Sequence, residues 1–149
     1  VRLDKMTLAA LEETMRIYLE PERALAEIPT LRMLSATPED LRPRAEALAK
    51  AIAAALPSDV ADIDIVDEIS RAGGGALPMC DIPTLAVRVS FRKGNALECD
   101  RSLVSHRSMP IIGRLKKDAL LFDVRTLVHD DEIDAIASGL ADYFEGMSR

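Results

Sequence analysis

Residues 111–127, IIGRLKKDALLFDVRTL, constrain the fold more than any other stretch, because they admit little but a β-hairpin. In the second arm Leu120, Phe122 and Val124 alternate with Leu121, Asp123 and Arg125, the period of two that gives a half-buried strand one apolar and one wet face. Lys116, Lys117 and Asp118 supply the turn. A sheet with one apolar face needs a cover, and the amphipathic helical patterns on both sides of the hairpin can provide it.

Upstream, Leu8, Leu11, Met15 and Tyr18 recur at helical spacing behind Asp4 or Thr7 as N-cap, and the helix must stop near Leu19 because Pro21 pushes Glu20 out of the α region. Pro21 opens a short helix to about Ala26, and the chain from there to Ser35 is expected to be irregular. Thr37, Pro38, Glu39 and Asp40 form a helix start, followed by an apolar stripe of Leu41, Leu48, Ile52 and Leu56. Pro43 inside that stripe removes a backbone bond, so a kink or a restart is expected there. Asp62 to Ile65 and Leu85 to Phe91 alternate as strands, the aspartates facing water. Asn95 to Glu98 opens a helix ending near His106, and Asp130 to Glu132 opens the last one, with Ile133, Ile136, Ala137, Leu140 and Phe144 as its core stripe. The order α, α, β, β, α, β, β, α defines an α+β fold, a mainly antiparallel sheet of about four strands covered by helices. Two regions are expected, residues 1–35 as a linking helix with an irregular segment and residues 36–149 as the α+β domain.

Composition removes several function classes. A formal charge of −6 without a basic stripe argues against a free-standing nucleic-acid binder. No apolar run reaches the roughly 20 residues of a membrane span, and the start lacks a signal-peptide core, so a cytoplasmic protein is expected. Cys80 and Cys99 fit a reduced pair, and neither they nor His106 show zinc-ligand spacing, so no metal is assigned. His106 and His129 sit at helix borders, where histidines cap or face solvent, and they receive no catalytic role. Opening on Val1 rather than Met leads to the expectation that an upstream part is absent. The connection between the first two strands carries Gly73, Gly74 and Gly75, without a GxGxxG or P-loop pattern; it is either a flexible turn or a place where backbone approaches a ligand or neighbouring domain. Arg2, Arg114 and Arg125 lie at a chain entry or on hairpin strands, and a planar guanidinium there serves either anion capture or an intramolecular pair.

Three stretches carry a family resemblance: RLDKMTLAALEETMRIYLEPERALAEIPTLRML from Arg2, GGGALP from Gly73, and PIIGRLKKDALLFDVRTL from Pro110. Together they resemble the C-terminal portion of the bacterial L-seryl-tRNA(Sec) selenium transferases, the selenocysteine synthase family. Arg2 to Glu12 meet the family pattern R-V-D-K-[LM]-T-L-A-A-L-E with Leu3 for Val. Ile112 to Arg114 and Asp123 to Thr126 meet its IGR and D-[LV]-R-T segments. Ala76 and Met79 depart from the Ser and Gly common in its glycine loop. The resemblance implies the small C-terminal domain of a fold-type I pyridoxal-phosphate enzyme that converts seryl-tRNA(Sec) to selenocysteinyl-tRNA(Sec) with selenophosphate, the cofactor serving as electron sink. It also implies a homo-oligomer. The cofactor's lysine lies upstream in the family pattern and matches none of Lys5, Lys50, Lys93, Lys116 or Lys117, so this chain alone is expected to be inactive, to hold no catalytic residue and to bind no cofactor. Arg2 is implied as a contact for the selenophosphate anion, with Arg114 and Arg125 as further candidates and Gly73 to Gly75 near the site or an interface. Two other readings stay open: a fragment of a related pyridoxal-phosphate lyase acting on an amino-sugar-acid phosphate, and a non-catalytic interaction domain sharing only the architecture.

Overall fold

The computed structural model describes residues 2–72, 80–105 and 109–147. The chain divides into two compact units, Val1–Ala36 and Thr37–Arg149.

The first unit is helical. In α1 (Lys5–Tyr18) the Asp4 carboxylate accepts from the backbone N–H groups of Met6 at 2.9 Å and Thr7 at 3.0 Å, satisfying two of the orphan donors at the helix start. None of its residues is buried, and Leu8, Leu11, Met15 and Tyr18 all remain about half exposed. Pro21 opens α2 (Pro21–Glu27), and the segment expected to be irregular instead forms α3 (Pro29–Ser35). The reason lies in the second proline: at a first helical position its missing N–H is one that would be orphaned anyway, while the Ile28 carbonyl accepts from Arg32 N at 3.0 Å.

The second unit opens with α4 (Pro38–Ala55), closed at its start by a reciprocal Thr37–Asp40 capping box. This helix runs through Pro43 without the restart expected from the sequence. Pro43 removes one ladder bond in the second turn, and the cap before it together with buried Leu41, Ala45, Leu48 and Ile52 keeps both sides of that turn in place. Strands β1 (Ala61–Ser70) and β2 (Ile82–Phe91) pair over their full lengths, Ser70 opposite Ile82, and both extend beyond the alternating runs visible in the sequence. After α5 (Ala96–Ser105), the hairpin forms as β3 (Arg114–Lys116) and β4 (Ala119–Asp123), and the chain ends through a 3-10 turn (Val124–Thr126) into α6 (Asp130–Met147). The sheet order is β1-β2-β4-β3, antiparallel throughout. α4 lies on β2 and β1, and α6 packs on α4. The core between them holds Leu48, Ile52, Leu85, Val87, Val89, Leu120 and Leu140. Tyr143 of α6 fixes the start of α5: its hydroxyl accepts from Asn95 N at 3.0 Å and donates to Asn95 O at 3.1 Å.

One expectation is corrected on the hairpin. β4 is not half-buried, since Ala119 to Phe122 are all buried and Leu121, on the face opposite the helices, is only 2% exposed. It packs with Ala86, Ala119 and the partly buried Val66 on that second face. The aspartates of β1 do not simply face water either: Asp62 pairs with Arg92, and Asp64 with Arg88 at 3.0 Å. Glu68 of β1 pairs with Lys116 and Arg114 of β3, although β1 and β3 are opposite edges of the sheet. The sheet therefore coils at this end until its edges are bridged, in the direction strand twist favours, and the coil covers Leu121 without a helix.

The hairpin turn is tighter than the three-residue turn expected. Lys117 and Asp118 alone form it, with φ of +48° and +59°, while Lys116 pairs opposite Ala119 inside the ladder. Two left-handed residues in a two-residue loop suit the strand twist but favour Gly at the second position. Asp118→Gly should raise the stability of the chain by about 0.5 kcal/mol in urea unfolding; a lower midpoint would contradict the turn geometry.

Candidate functional site

The densest polar constellation of the second unit lies where β1 ends and β2 begins. Asp123, the last residue of β4, is its centre. Its Oδ2 accepts from Ser70 Oγ, and its Oδ1 accepts from Thr84 Oγ1 at 2.8 Å and from Arg125 N at 3.1 Å. Thr84 is 1% exposed, and Ser70 and Arg125 are also buried. Each hydroxyl and N–H would carry a desolvation cost if left unpaired, so the carboxylate satisfies three buried donors at once. Arg125 extends the same cluster, donating through Nη2 to the carbonyl of Pro83 at 2.5 Å. Thr126 Oγ1 donates to the Asp123 carbonyl at 3.1 Å, closing the 3-10 turn that aims Arg125 inward. The D-V-R-T segment is thus one local device, made of a cap, a spacer, a buried cation and a turn lock.

Arg114 holds the other strand end. It donates through Nη1 to the Ile69 carbonyl at 2.9 Å and pairs through Nη2 with Glu68. The glycine before it has its own reason: a Cβ at Gly113 would sit 2.2 Å from Leu120 Cδ2, and Leu120 is fully buried. Glycine at 113 therefore lets the hairpin's first arm lie close on the core.

Two of the sequence candidates, Arg114 and Arg125, are thus brought to the two strand ends that flank residues 71–81. Both spend guanidinium donors on intramolecular partners. Gly73, Gly74 and Gly75 lie outside the described residues, as does His106. Arg2 belongs to the first unit and is exposed. Asp123, Ser70 and Thr84 were not singled out from sequence. The signal for Asp123 was its place in the D-V-R-T run; Ser70 and Thr84 carry none, since only long-range pairing shows their shared partner. Of the cysteines, Cys99 is buried and its thiol is pushed up to about 12 by desolvation, which leaves it inert at neutral pH, while Cys80 is exposed. Among the described residues no group of three or more metal-ligating side chains assembles, and no helix is long and apolar enough to cross a membrane.

A cavity of about 450 Å³ opens between α5 and α6. Glu98, Asp142 and Tyr143 are among its lining residues and no cationic side chain is. It therefore does not fit a phosphate-bearing cofactor. Of the lysines, Lys93 pairs with Asp59 at 2.5 Å and Lys116 with Glu68, both on the surface.

What the fold defines is an α+β domain built on a four-stranded antiparallel sheet. Comparison with known proteins then places it. The family profile described as L-seryl-tRNA selenium transferase matches residues 1–128. The chain is 43% identical over 144 residues to the L-seryl-tRNA(Sec) selenium transferase of Nitratidesulfovibrio vulgaris, covering 94% of this chain and 29% of that protein. It is 40% identical over 140 residues to that of Geobacter sulfurreducens, covering 94% and 30%. With that of Moorella thermoacetica it shares 42% identity over 146 residues, covering 98% and 30%. The chain belongs to the L-seryl-tRNA selenium transferase family and spans about 30% of the length of these relatives, their C-terminal part.

The Glu68 bridge has a measurable signature. Its side chain is 15% exposed, and the Lys116 ammonium, with Arg114 behind it, holds its carboxyl below the usual glutamate range. A depressed folded value means the bridge stabilises the domain at pH above the unfolded glutamate value and is lost as pH falls through the folded one. Glu68→Gln should cost about 0.5 to 1 kcal/mol at pH 7, a modest amount because both cations are solvated. The gap between the two proteins should close as pH falls below about 4; a pH-independent gap would show that the carboxylate charge is not what bridges the edges.

Proposed function

We propose that this chain is the C-terminal domain of an enzyme that converts seryl-tRNA(Sec) to selenocysteinyl-tRNA(Sec) with selenophosphate and pyridoxal phosphate. The observation that carries the reading is the identity of 40 to 43% over nearly the whole chain with proteins of that name. The cofactor would supply the electron sink and be held by the part of the protein outside this chain. Within this reading residues 1–35 are the link to that part, and the enzyme is a homo-oligomer. The apolar stripe of α1, with no buried residue, supports a covering surface in the intact protein.

Arg2 is proposed as a contact for the selenophosphate anion. It is exposed, and a guanidinium can grip a phosphate through two hydrogen bonds. Arg114 and Arg125 are proposed as lesser candidates for a substrate contact, each already holding a backbone carbonyl at the strand ends that flank residues 71–81. The decisive test is transfer itself: the full-length protein, loaded with cofactor, should convert seryl-tRNA(Sec) in the presence of selenophosphate. In that protein Arg2→Ala should leave folding and cofactor absorbance unchanged and cut selenium transfer by about tenfold, the scale of one charged contact. Undiminished turnover at limiting selenophosphate would remove Arg2 from the site. For the 149-residue chain alone, pyridoxal phosphate followed by borohydride should give no stoichiometric adduct at a single lysine. One site-specific adduct, mapped by mass spectrometry, would place the Schiff-base lysine here instead.

A further inference from the structure

The first unit lacks a core of its own. Among its described residues only Ala24 is buried, and of the sixteen exposed large apolar side chains among the described residues of the chain nine lie here. A body of this size, below about 40 residues, holds together only with a disulfide, a metal or a partner surface. Both cysteines belong to the second unit, and no metal-ligating group assembles among the described residues. A partner surface remains.

Helix α1 presents the face such a surface would cover. Leu8, Leu11, Met15 and Tyr18 follow one another at intervals of three, four and three residues, which sets them on one side of the helix, and each is 47 to 50% exposed. Beside them Glu12 and Arg16 pair with each other at 2.8 Å, so this rim is neutral and asks for no charged partner. Anchors at this spacing are those of a helix seated in an apolar groove. Length decides whose groove it is. The 14 residues of α1 span about 21 Å, two heptads where a free-standing coiled coil needs three or more. Two such faces meeting, each about 21 Å by about 10 Å, fall far short of the roughly 1,200 Å² of a stable interface between copies. A groove joined to Val1 escapes that limit, because only a few residues separate Val1 from the stripe and a short tether holds the two at an effective concentration on the order of mM.

We propose that the apolar stripe of α1 seats in an apolar groove of the polypeptide that precedes Val1 in the intact protein, so that the first unit is the last layer of that preceding body. The inference rests on the reading given above, in which this chain is the C-terminal part of a longer enzyme, as its span of about 30% of its relatives supports. It assigns the groove to the same polypeptide rather than to a second copy or to residues 37–149.

Hydrogen exchange and photo-crosslinking test it together. Amides of α1 should exchange about a hundredfold or more slower in the full-length protein than in the 149-residue chain. In the full-length protein Leu11→Ala should speed that exchange at least about tenfold, whereas Glu13→Ala, off the stripe, should change it less than about twofold. With Leu11 replaced by benzoylphenylalanine in a full-length protein assembled from equal amounts of isotope-labelled and unlabelled chains, irradiation should join position 11 to residues preceding Val1, with both peptides of each adduct carrying the same label. Adducts of mixed label would hand the groove to a second copy, and adducts to residues 37–149 would hand it to the second unit; either overturns the proposal, as does α1 exchange equally fast in the two proteins. A full-length protein that docks α1 as described yet transfers no selenium would overturn the transferase reading alone.

Discussion

Strand β4 is buried on both faces although helices cover only one, and the rest of the second unit follows from how that is achieved. The helix side is ordinary layer packing, with Leu120 beside Val89 in the ladder, α4 on β1 and β2, and α5 against β3 and β4. On the other side the sheet uses itself as the cover. Coiling brings β1 over Ala86 and Leu121, and the bridge from Glu68 to Lys116 and Arg114 ties the two edges where they approach. The arrangement also shields an edge: β1 is long and one side of its backbone is unpaired, yet its curl and its acidic residues make it a poor template for another chain.

Much of this architecture was legible in the sequence because it is local. The strand beginning near Leu120, the capping signature at Thr37 to Asp40 and the stripe from Ile133 to Phe144 each need only a few neighbouring residues to be read, and each formed, although the strand stops at Asp123 and Val124 to Thr126 leave the expected alternation for a 3-10 turn. What was missed depends on distance or on end effects. Period-two reading treats Leu121 and Arg125 as solvent-side residues, since nothing in the local pattern says that Val66 of β1 will pack against Leu121 or that a 3-10 turn will carry Arg125 to the Pro83 carbonyl. Proline rules rightly mark breaks at Pro21 and Pro29, but they do not reveal that the residues after Pro29 are free to begin another helix. At Pro43 the same rules overstate the break, because packing on both sides of one lost bond outweighs it.

The candidate site divides along the same line. Arg114 and Arg125 drew attention by residue type and strand position, and both do reach the ends of the β1–β2 ribbon. Their partners there, the carbonyls of Ile69 and Pro83, are backbone atoms about 40 residues away in the chain, and no composition argument could supply them. Asp123 stood within the motif but was read only as one member of an alternation. Its importance lies in having two oxygens and three donors to satisfy, a matter of valence that only three-dimensional placement makes visible.

The Thr37–Asp40 capping box bears on how this polypeptide can be handled as material. It closes α4 with side chains from within the second unit, so the first donors of that helix ask nothing of residues before Thr37. The boundary between the two compact units falls one residue earlier, at Ala36. A gene cut just ahead of Thr37 would leave the helix start chemically complete, and a foreign segment could be spliced on at that point without exposing a frayed end. The seam before Thr37 is therefore a natural site for exchanging the second unit between relatives.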